Sequence, residues 1–156
     1  MLDEQDRTQW NRALIDEGVA LVERALPLRR PGPYCLQAAI AAVHADAPSA
    51  DATDWAEIVG LYDLLRAAEP SPVIELNRAV AIAMRDGPAA GLTIVDALLA
   101  AGDLADYRLA HAARADLCRR LGKNGEARES YQRALALTRQ GPERRFIERR
   151  LAELKK

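Results

Sequence analysis

Apolar residues recur along this chain at helical spacing, and no segment alternates apolar and polar residues as a half-buried strand does. The first pattern covers residues 7–25, where Trp10, Leu14, Leu21 and Ala25 mark an apolar stripe. Proline and glycine then interrupt the pattern at short intervals, which predicts short loops between antiparallel neighbours. We therefore predict an all-α protein of about eight helices, arranged as antiparallel hairpins.

Turn and cap signals set the limits of the other predicted helices. Pro33 suits the first turn of a helix, Thr53 or Asp54 suits a helix cap, and Gly102 and Gly141 suit helix boundaries. After the first, the predicted helices cover residues 33–45, 55 to about 69, 72–84, 89–100, 105–121, 124–138 and 142–156.

The segment LGKNGEARESYQRAL, residues 121–135, has the pattern of a helix end, a tight turn and the start of a second helix. Gly122 can end one helix, and Ala127, Tyr131 and Ala134 then place a small, a large and a small residue on one face of the next. This resembles the helix-turn-helix unit of a tetratricopeptide repeat, in which small residues let two helices approach closely.

The resemblance predicts two further, degenerate units. Ala127 aligns with Gly91 and Ile58 at intervals of 36 and 33 residues, close to the repeat period of about 34. We predict a single domain over residues 1–156, with a capping helix at 1–30, three degenerate hairpins at 33–139 and a C-terminal capping helix at 142–156.

Composition agrees with this architecture and restricts the function. Hydrophobic residues make up 49% and aromatic residues only 4%, so alanine and leucine fill a core of closely packed helices. With a net charge of -1, the chain as a whole lacks the positive charge expected of a nucleic-acid-binding protein. The absence of a long apolar run and the charged start predict a soluble, cytoplasmic protein without membrane contact.

The residues give no sign of catalysis. GxSxG, HExxH, P-loop and GxGxxG motifs are absent from the sequence, so we expect no catalytic residue and no cofactor. His111 and Cys118 are two helical turns apart, but a zinc site needs two more ligands at recognisable spacing. We predict no metal site, and we expect Cys35 and Cys118 to be buried thiols.

Polar residues within apolar helices are the candidate binding residues, because each needs a partner in the protein or outside it. Such side chains either tie neighbouring helices together or bind a peptide or domain, and both readings stay open. The last predicted helix is rich in arginine and lysine, and it also has two interpretations. It is either a capping helix that exposes these charges to solvent and buries Phe146, Leu151 and Leu154, or a helix that contacts an acidic surface or nucleic-acid phosphate. The candidate residues, which we expect on the concave face of the helical stack, are Tyr34, Gln37, His44, Asn77, Arg78, Tyr107, His111 and Arg114.

Several segments in this order resemble one family: LDEQDRTQWNRALIDEG, GPYCLQAAIAAVHADAPS, DWAEIVGLYDLL, PSPVIELNRAVAIA with DGPAAGL, YRLAHAARADLCRRLG and ERRFIERRLAEL. Together they resemble the C-terminal extension of a group of bacterial extracytoplasmic-function RNA polymerase sigma factors. In that group a tetratricopeptide-like domain follows the two conserved sigma regions. The resemblance covers essentially the whole chain.

The resemblance implies a non-catalytic regulatory domain that acts in transcription initiation by packing on its own sigma regions or on the polymerase core. The sigma regions that read promoter DNA are absent here, which we expect of an excised domain. An acidic first helix, with Asp3, Glu4, Asp6, Asp16 and Glu17, is expected to lie nearest the sigma regions.

Two alternatives stay open beside this reading. One is a small-molecule sensor with a pocket lined by Tyr34, His44, Tyr107, His111 and Arg114. An enclosed cavity would favour the sensor, and an open groove would favour protein binding. The other is an independent enzyme, which the absence of catalytic motifs disfavours most. The oligomeric state also stays open, because exposed hairpin faces often self-associate into a homo-oligomer.

Overall fold

A computed structural model describes residues 6–25 and 31–154, and this part of the chain contains eight α-helices, one 3-10 turn and no strand. The all-α prediction is confirmed. The 3-10 turn is Arg7–Gln9, and the helices are α1 Arg12–Ala25, α2 Pro33–Asp46, α3 Trp55–Ala68, α4 Pro72–Asp86, α5 Pro88–Ala101, α6 Arg108–Arg120, α7 Asn124–Leu137 and α8 Gly141–Glu153. Asp3, Glu4, Lys155 and Lys156, which belong to the predicted terminal helices, lie outside the described residues.

The chain divides into two compact units, residues 1–75 and 76–156. In the first unit α1 packs on α2, and α2 packs on α3. In the second unit α5 packs on α6, α6 on α7, and α7 on α8. Within each unit, the helices of these pairs are neighbours both in sequence and in space, as in a series of helical hairpins.

The first predicted helix is interrupted, which the apolar pattern did not predict. Asp6 accepts a hydrogen bond from the backbone N–H of Thr8 at 3.1 Å and starts the short 3-10 turn. Asn11 then accepts from the N–H of Leu14 at 3.2 Å, as a cap at the start of α1 does. The two polar side chains divide the predicted segment into a turn and a helix.

The face that α1 presents to the protein also differs from the predicted one. Leu14 and Leu21 of the predicted stripe are 64% and 51% exposed. The half-buried residues are Ile15, Gly18, Val19, Val22 and Ala25, and no residue of α1 is fully buried. Ile15, Val19 and Val22 lie about 100° around the helix from Leu14 and Leu21. Apolar residues occur on both sides of this helix, and packing against α2 selects one of them.

The other helix ends follow the local signals in the sequence. Asp54 accepts a hydrogen bond from the N–H of Glu57 at 2.9 Å and caps α3. Pro33 and Pro88 stand in the first turns of α2 and α5. Gly102 ends α5 at a φ of 89°, a left-handed conformation that favours glycine.

The core of the second unit depends on the close approach of α4 and α5. A Cβ atom on Gly91 would lie 2.5 Å from Cβ of Ala83 and 2.6 Å from the carbonyl oxygen of Ala79. These distances are shorter than van der Waals contact, so only glycine fits at this crossing. Gly91 is the residue that aligns with Ala127 in the repeat pattern, and both are buried.

We expect Gly91→Ala to lower the free energy of unfolding by about 1–3 kcal/mol, because the added methyl group pushes α4 and α5 apart. The matched control is Gly125→Ala, since a Cβ at Gly125 meets no atom within 4 Å. The control variant should be unchanged or slightly more stable. Urea unfolding followed by circular dichroism measures both, and equal stability of the two variants would contradict the tight crossing.

Candidate functional site

The sequence-predicted binding residues fall in both units. Three lie on α2 in the first unit, and five lie on α4, on α6 or just before α6 in the second. The first group is Tyr34, Gln37 and His44, and the second is Asn77, Arg78, Tyr107, His111 and Arg114.

The helix α2 is apolar on both sides, although one side faces solvent. Its buried side carries Leu36, Ala39 and Ile40. Its exposed side carries Tyr34, Gln37, Ala38 and Ala41, which we call the α2 outer face; Tyr34 is 86% exposed. No charged residue occurs between Pro33 and His44, so this face lacks the charged groups that usually cover an exposed helix.

His44 is not part of the α2 outer face. It is half-buried, and its ring stands edge-on to Trp55 with centroids 5.1 Å apart. Burial lowers the pKa of His44, and the charge of Arg7 lowers it further. The imidazole is therefore held neutral between α2 and α3.

Two arginines attach the start of the chain to the C-terminal end of α2. Nη1 of Arg7 donates to the carbonyl oxygens of His44, at 3.0 Å, and Ala47, at 2.5 Å. Arg12 donates to the carboxylate of Asp46 at 2.8 Å. Cations suit the carbonyl-rich end of a helix, and these contacts hold a segment that buries little apolar surface. These contacts of Arg7 and Arg12 could not be predicted from the sequence, because the acceptors are mostly backbone atoms.

The first unit carries two clefts that are open to solvent, with volumes of about 350 and 380 Å³. Arg7, Trp10 and Arg12 line the smaller cleft beside the end of α2. The larger cleft lies between α1, α2 and the start of α3, and its floor consists of valine and alanine. We call this larger cleft the α1–α3 groove.

In the second unit Arg114 is the centre of a polar network. Its guanidinium donates to the carboxylate of Asp96 on α5 at 2.6 Å, and to Oγ of Ser130 and the carboxylate of Glu126 on α7 at 2.7 and 3.3 Å. Burial alone would lower the pKa of Arg114, but the hydrogen bond and charge of Asp96 outweigh it and raise the pKa. The side chain ties three helices together.

The other predicted residues of the second unit do not assemble a pocket around Arg114. Asn77 is exposed on α4, whereas Arg78 is half-buried and already engaged. Nε2 of His111 lies 2.8 Å from the carbonyl oxygen of Ala105, so this nitrogen carries the proton and donates it. Tyr107 is half-buried at the start of α6.

Metal or thiol chemistry finds no support in the described residues. Residues 6–25 and 31–154 contain no group of three or more His, Cys, Asp or Glu side chains that could hold a metal ion. Cys118 is fully buried, and burial raises the pKa of its thiol. The protonated thiol packs as a small apolar residue, whereas Cys35 is half-buried.

The basic residues of α8 are largely used within the second unit. Arg144 donates to the carbonyl oxygens of Leu135 and Thr138 at the end of α7, at 3.3 and 3.1 Å. Arg150 pairs with Glu153 at 3.0 Å. Ile147 is buried, so α8 covers α7 as a capping helix. In the part of the chain that the structure describes, no helix combines the length and apolarity needed to cross a bilayer.

A search of known proteins finds a relative of undetermined function. An uncharacterized protein of Rhizobium meliloti (strain 1021) is 44% identical over 155 residues, which are 99% of this chain and 36% of the relative. This chain thus spans about a third of the length of the relative that it matches. No protein-family model and no solved structure matches the chain.

We expect Arg114→Met to lower the free energy of unfolding by about 1–2 kcal/mol, because it leaves Asp96 and Ser130 without their donor. The control is Arg133→Met, which removes a pair with Asp106 whose side chains are 50% and 86% exposed. The control should change stability by less than about 0.5 kcal/mol. Urea unfolding measures both, and similar losses in the two variants would refute the structural role of Arg114.

Stability should fall as the pH drops below the ordinary pKa of histidine, 6.5, because His44 is neutral in the folded chain at pH values where the unfolded chain protonates it. The loss should develop between pH 6.5 and the lowered pKa. His44→Gln should remove this part of the pH dependence, and His111→Gln should retain it. Unfolding titrations at a series of pH values test this, and a flat profile in the unsubstituted chain would contradict it.

Proposed function

We propose that this chain is a non-catalytic, tetratricopeptide-like domain that binds protein and regulates an RNA polymerase sigma factor. The observation that carries the binding role is the α2 outer face. Tyr34, Ala38 and Ala41 present apolar surface to solvent on a helix that has no charged residue before Asp46. Removing apolar surface from water is favourable by roughly 25 cal/mol for each Å², and this gain offsets part of the cost of association.

A protein partner suits this face better than a small molecule. The α2 outer face is an exposed helix surface, and the two clefts described in the first unit are open to solvent. Small-molecule sites instead bury most of the ligand and carry convergent polar groups. The residues expected to line a sensor pocket do not support that alternative, since Tyr34 is exposed and Arg114 is bonded to its neighbours.

The link to transcription rests on the family resemblance of the ordered segments along the chain. The relative's greater length fits a domain that belongs to a longer polypeptide. In the proposed arrangement the domain packs on its own sigma regions or on the polymerase core and sets the activity of the factor. Promoter DNA is contacted only through the sigma regions.

The Rhizobium relative offers a direct test. We expect the full-length relative to bind core RNA polymerase and direct promoter-specific transcription, and deletion of the segment that matches this chain to change that transcription. A relative that does not bind core polymerase would refute the sigma-factor assignment. Unchanged transcription after the deletion, under all conditions assayed, would refute the regulatory role.

A single substitution tests the α2 outer face. Ala41→Arg should weaken binding to the sigma regions or to core polymerase about tenfold or more, because a complex would have to bury a charge in an apolar contact. Ala136→Arg, at an exposed alanine of α7, is the matched control and should change affinity less than about twofold. Isothermal titration calorimetry measures both, and equal affinities would exclude this face as the contact.

A further inference from the structure

The α1–α3 groove has an apolar floor built from α1, α2 and the loop between α2 and α3. Its volume is about 380 Å³, and it runs along α1 and α2 to the start of α3. The side chains of the floor are small and leave the groove deep enough to accept side chains of a partner helix. The floor residues are Val19, Val22, Ala39, Ala42, Val43, Ala47, Pro48 and Ala52.

Within residues 6–25 and 31–154, all the charged residues that line the groove are acidic. They are Glu23, Asp46, Asp54 and Glu57. Asp46 already pairs with Arg12, and Asp54 is used to cap α3. Glu23 and Glu57 are exposed and form no ion pair with another described residue. Two carboxylates on opposite sides of an apolar floor are thus available to a ligand.

We infer that the α1–α3 groove binds a basic amphipathic helix of a partner protein. Apolar side chains of that helix lie on the valine and alanine floor, and its lysine or arginine side chains pair with Glu23 and Glu57. The aliphatic stems of lysine and arginine also cover apolar surface while their charged ends reach the rim. A basic helix therefore complements both the floor and the rim.

The same charges exclude other classes of partner. Nucleic acid and anionic lipid surfaces carry negative charge and are repelled by the rim. A neutral or acidic helix would bury Glu23 and Glu57 without compensation, which costs binding free energy. The groove thus selects for the sign of charge on its ligand.

A second copy of this chain is a poorer fit. The basic helix α8 has exposed arginines at Arg145 and Arg149, but its apolar residues contact α7. Phe146 and Leu151 pack on the core that surrounds Tyr131, so α8 offers no apolar face to the groove of another molecule. Partners that carry apolar and basic residues on one exposed helix face are the better match.

This inference deepens the proposed function, on which it rests for the existence of a protein partner, and it adds the chemistry of that partner. The probe is a fluorescent synthetic helix of about 18 residues with leucine and alanine on one face and lysine along both edges. The control probe replaces each lysine with glutamate. Fluorescence anisotropy with the full chain should show at least about tenfold weaker binding of the acidic probe.

Variants locate the binding on the groove. Glu23→Lys with Glu57→Lys should weaken the basic probe about tenfold or more, and Ala52→Trp should block the floor without a change of charge. Glu129→Lys adds the same kind of charge at an exposed position of α7 and should change affinity less than about twofold. Circular dichroism confirms that each variant is folded.

Three outcomes would overturn the inference: equal binding of basic and acidic probes, binding that is insensitive to the double substitution, or self-association of the chain that the double substitution abolishes. The last would assign the groove to a second copy. Failure of the groove is distinguishable from failure of the proposed function. Suppose that Ala41→Arg impairs binding to polymerase or to the sigma regions, while the groove variants bind the probe as tightly as the unsubstituted chain does. The proposed function would then be supported, and the groove assignment would be refuted.

Discussion

The close approach of helices at alanine and glycine is the constraint on which this structure depends. The chain has few aromatic residues, so its core cannot be filled by large side chains between widely spaced helices. Gly91 meets Ala79 and Ala83 at the α4–α5 crossing, and Ala115 and Ala134 surround Tyr131 in the core of the second unit. Each such contact contributes little dispersion energy alone. The sum is large only when the helices lie close enough for many atoms to be in van der Waals contact.

The same constraint explains why polar side chains tie the helices together. Small residues bury little area, so a network such as Arg114 with Asp96 and Ser130 adds directional contacts that fix how α5, α6 and α7 meet. Fully buried small residues leave space beside them for one long side chain. Arg114 takes that place in the second unit, as the buried aromatic ring of Tyr131 does nearby.

Helix ends could be predicted from the sequence because their causes are local. Asp54 caps α3 through its own side chain, and Gly102 ends α5 through its own backbone conformation. The buried side of α1 could not be predicted, since Leu14 and Val19 are both apolar and only contact with α2 distinguishes them. The need of Arg114 for partners could be predicted, but the identity of those partners depends on two other helices.

The α1–α3 groove escaped the sequence reading for a related reason. Glu23, Asp46 and Glu57 come from three different helices, and their pattern exists only after folding. His44 and Tyr34 were both expected to line a sensor pocket, yet the ring of His44 contacts Trp55 and Tyr34 is exposed. Sequence periodicity predicts which residues share a face of one helix. It does not predict which residues of different helices come together in the folded chain.

The attachment of Arg7 to α2 has a consequence for how sequences of this kind can diverge. Its acceptors are the carbonyl oxygens of His44 and Ala47, and every amino acid supplies such an oxygen. Substitutions at those two positions leave the acceptors in place, while a substitution of Arg7 removes the donor. Related chains can thus keep this contact with an invariant arginine and no covarying partner, so pairwise covariation between columns of an alignment would not detect it.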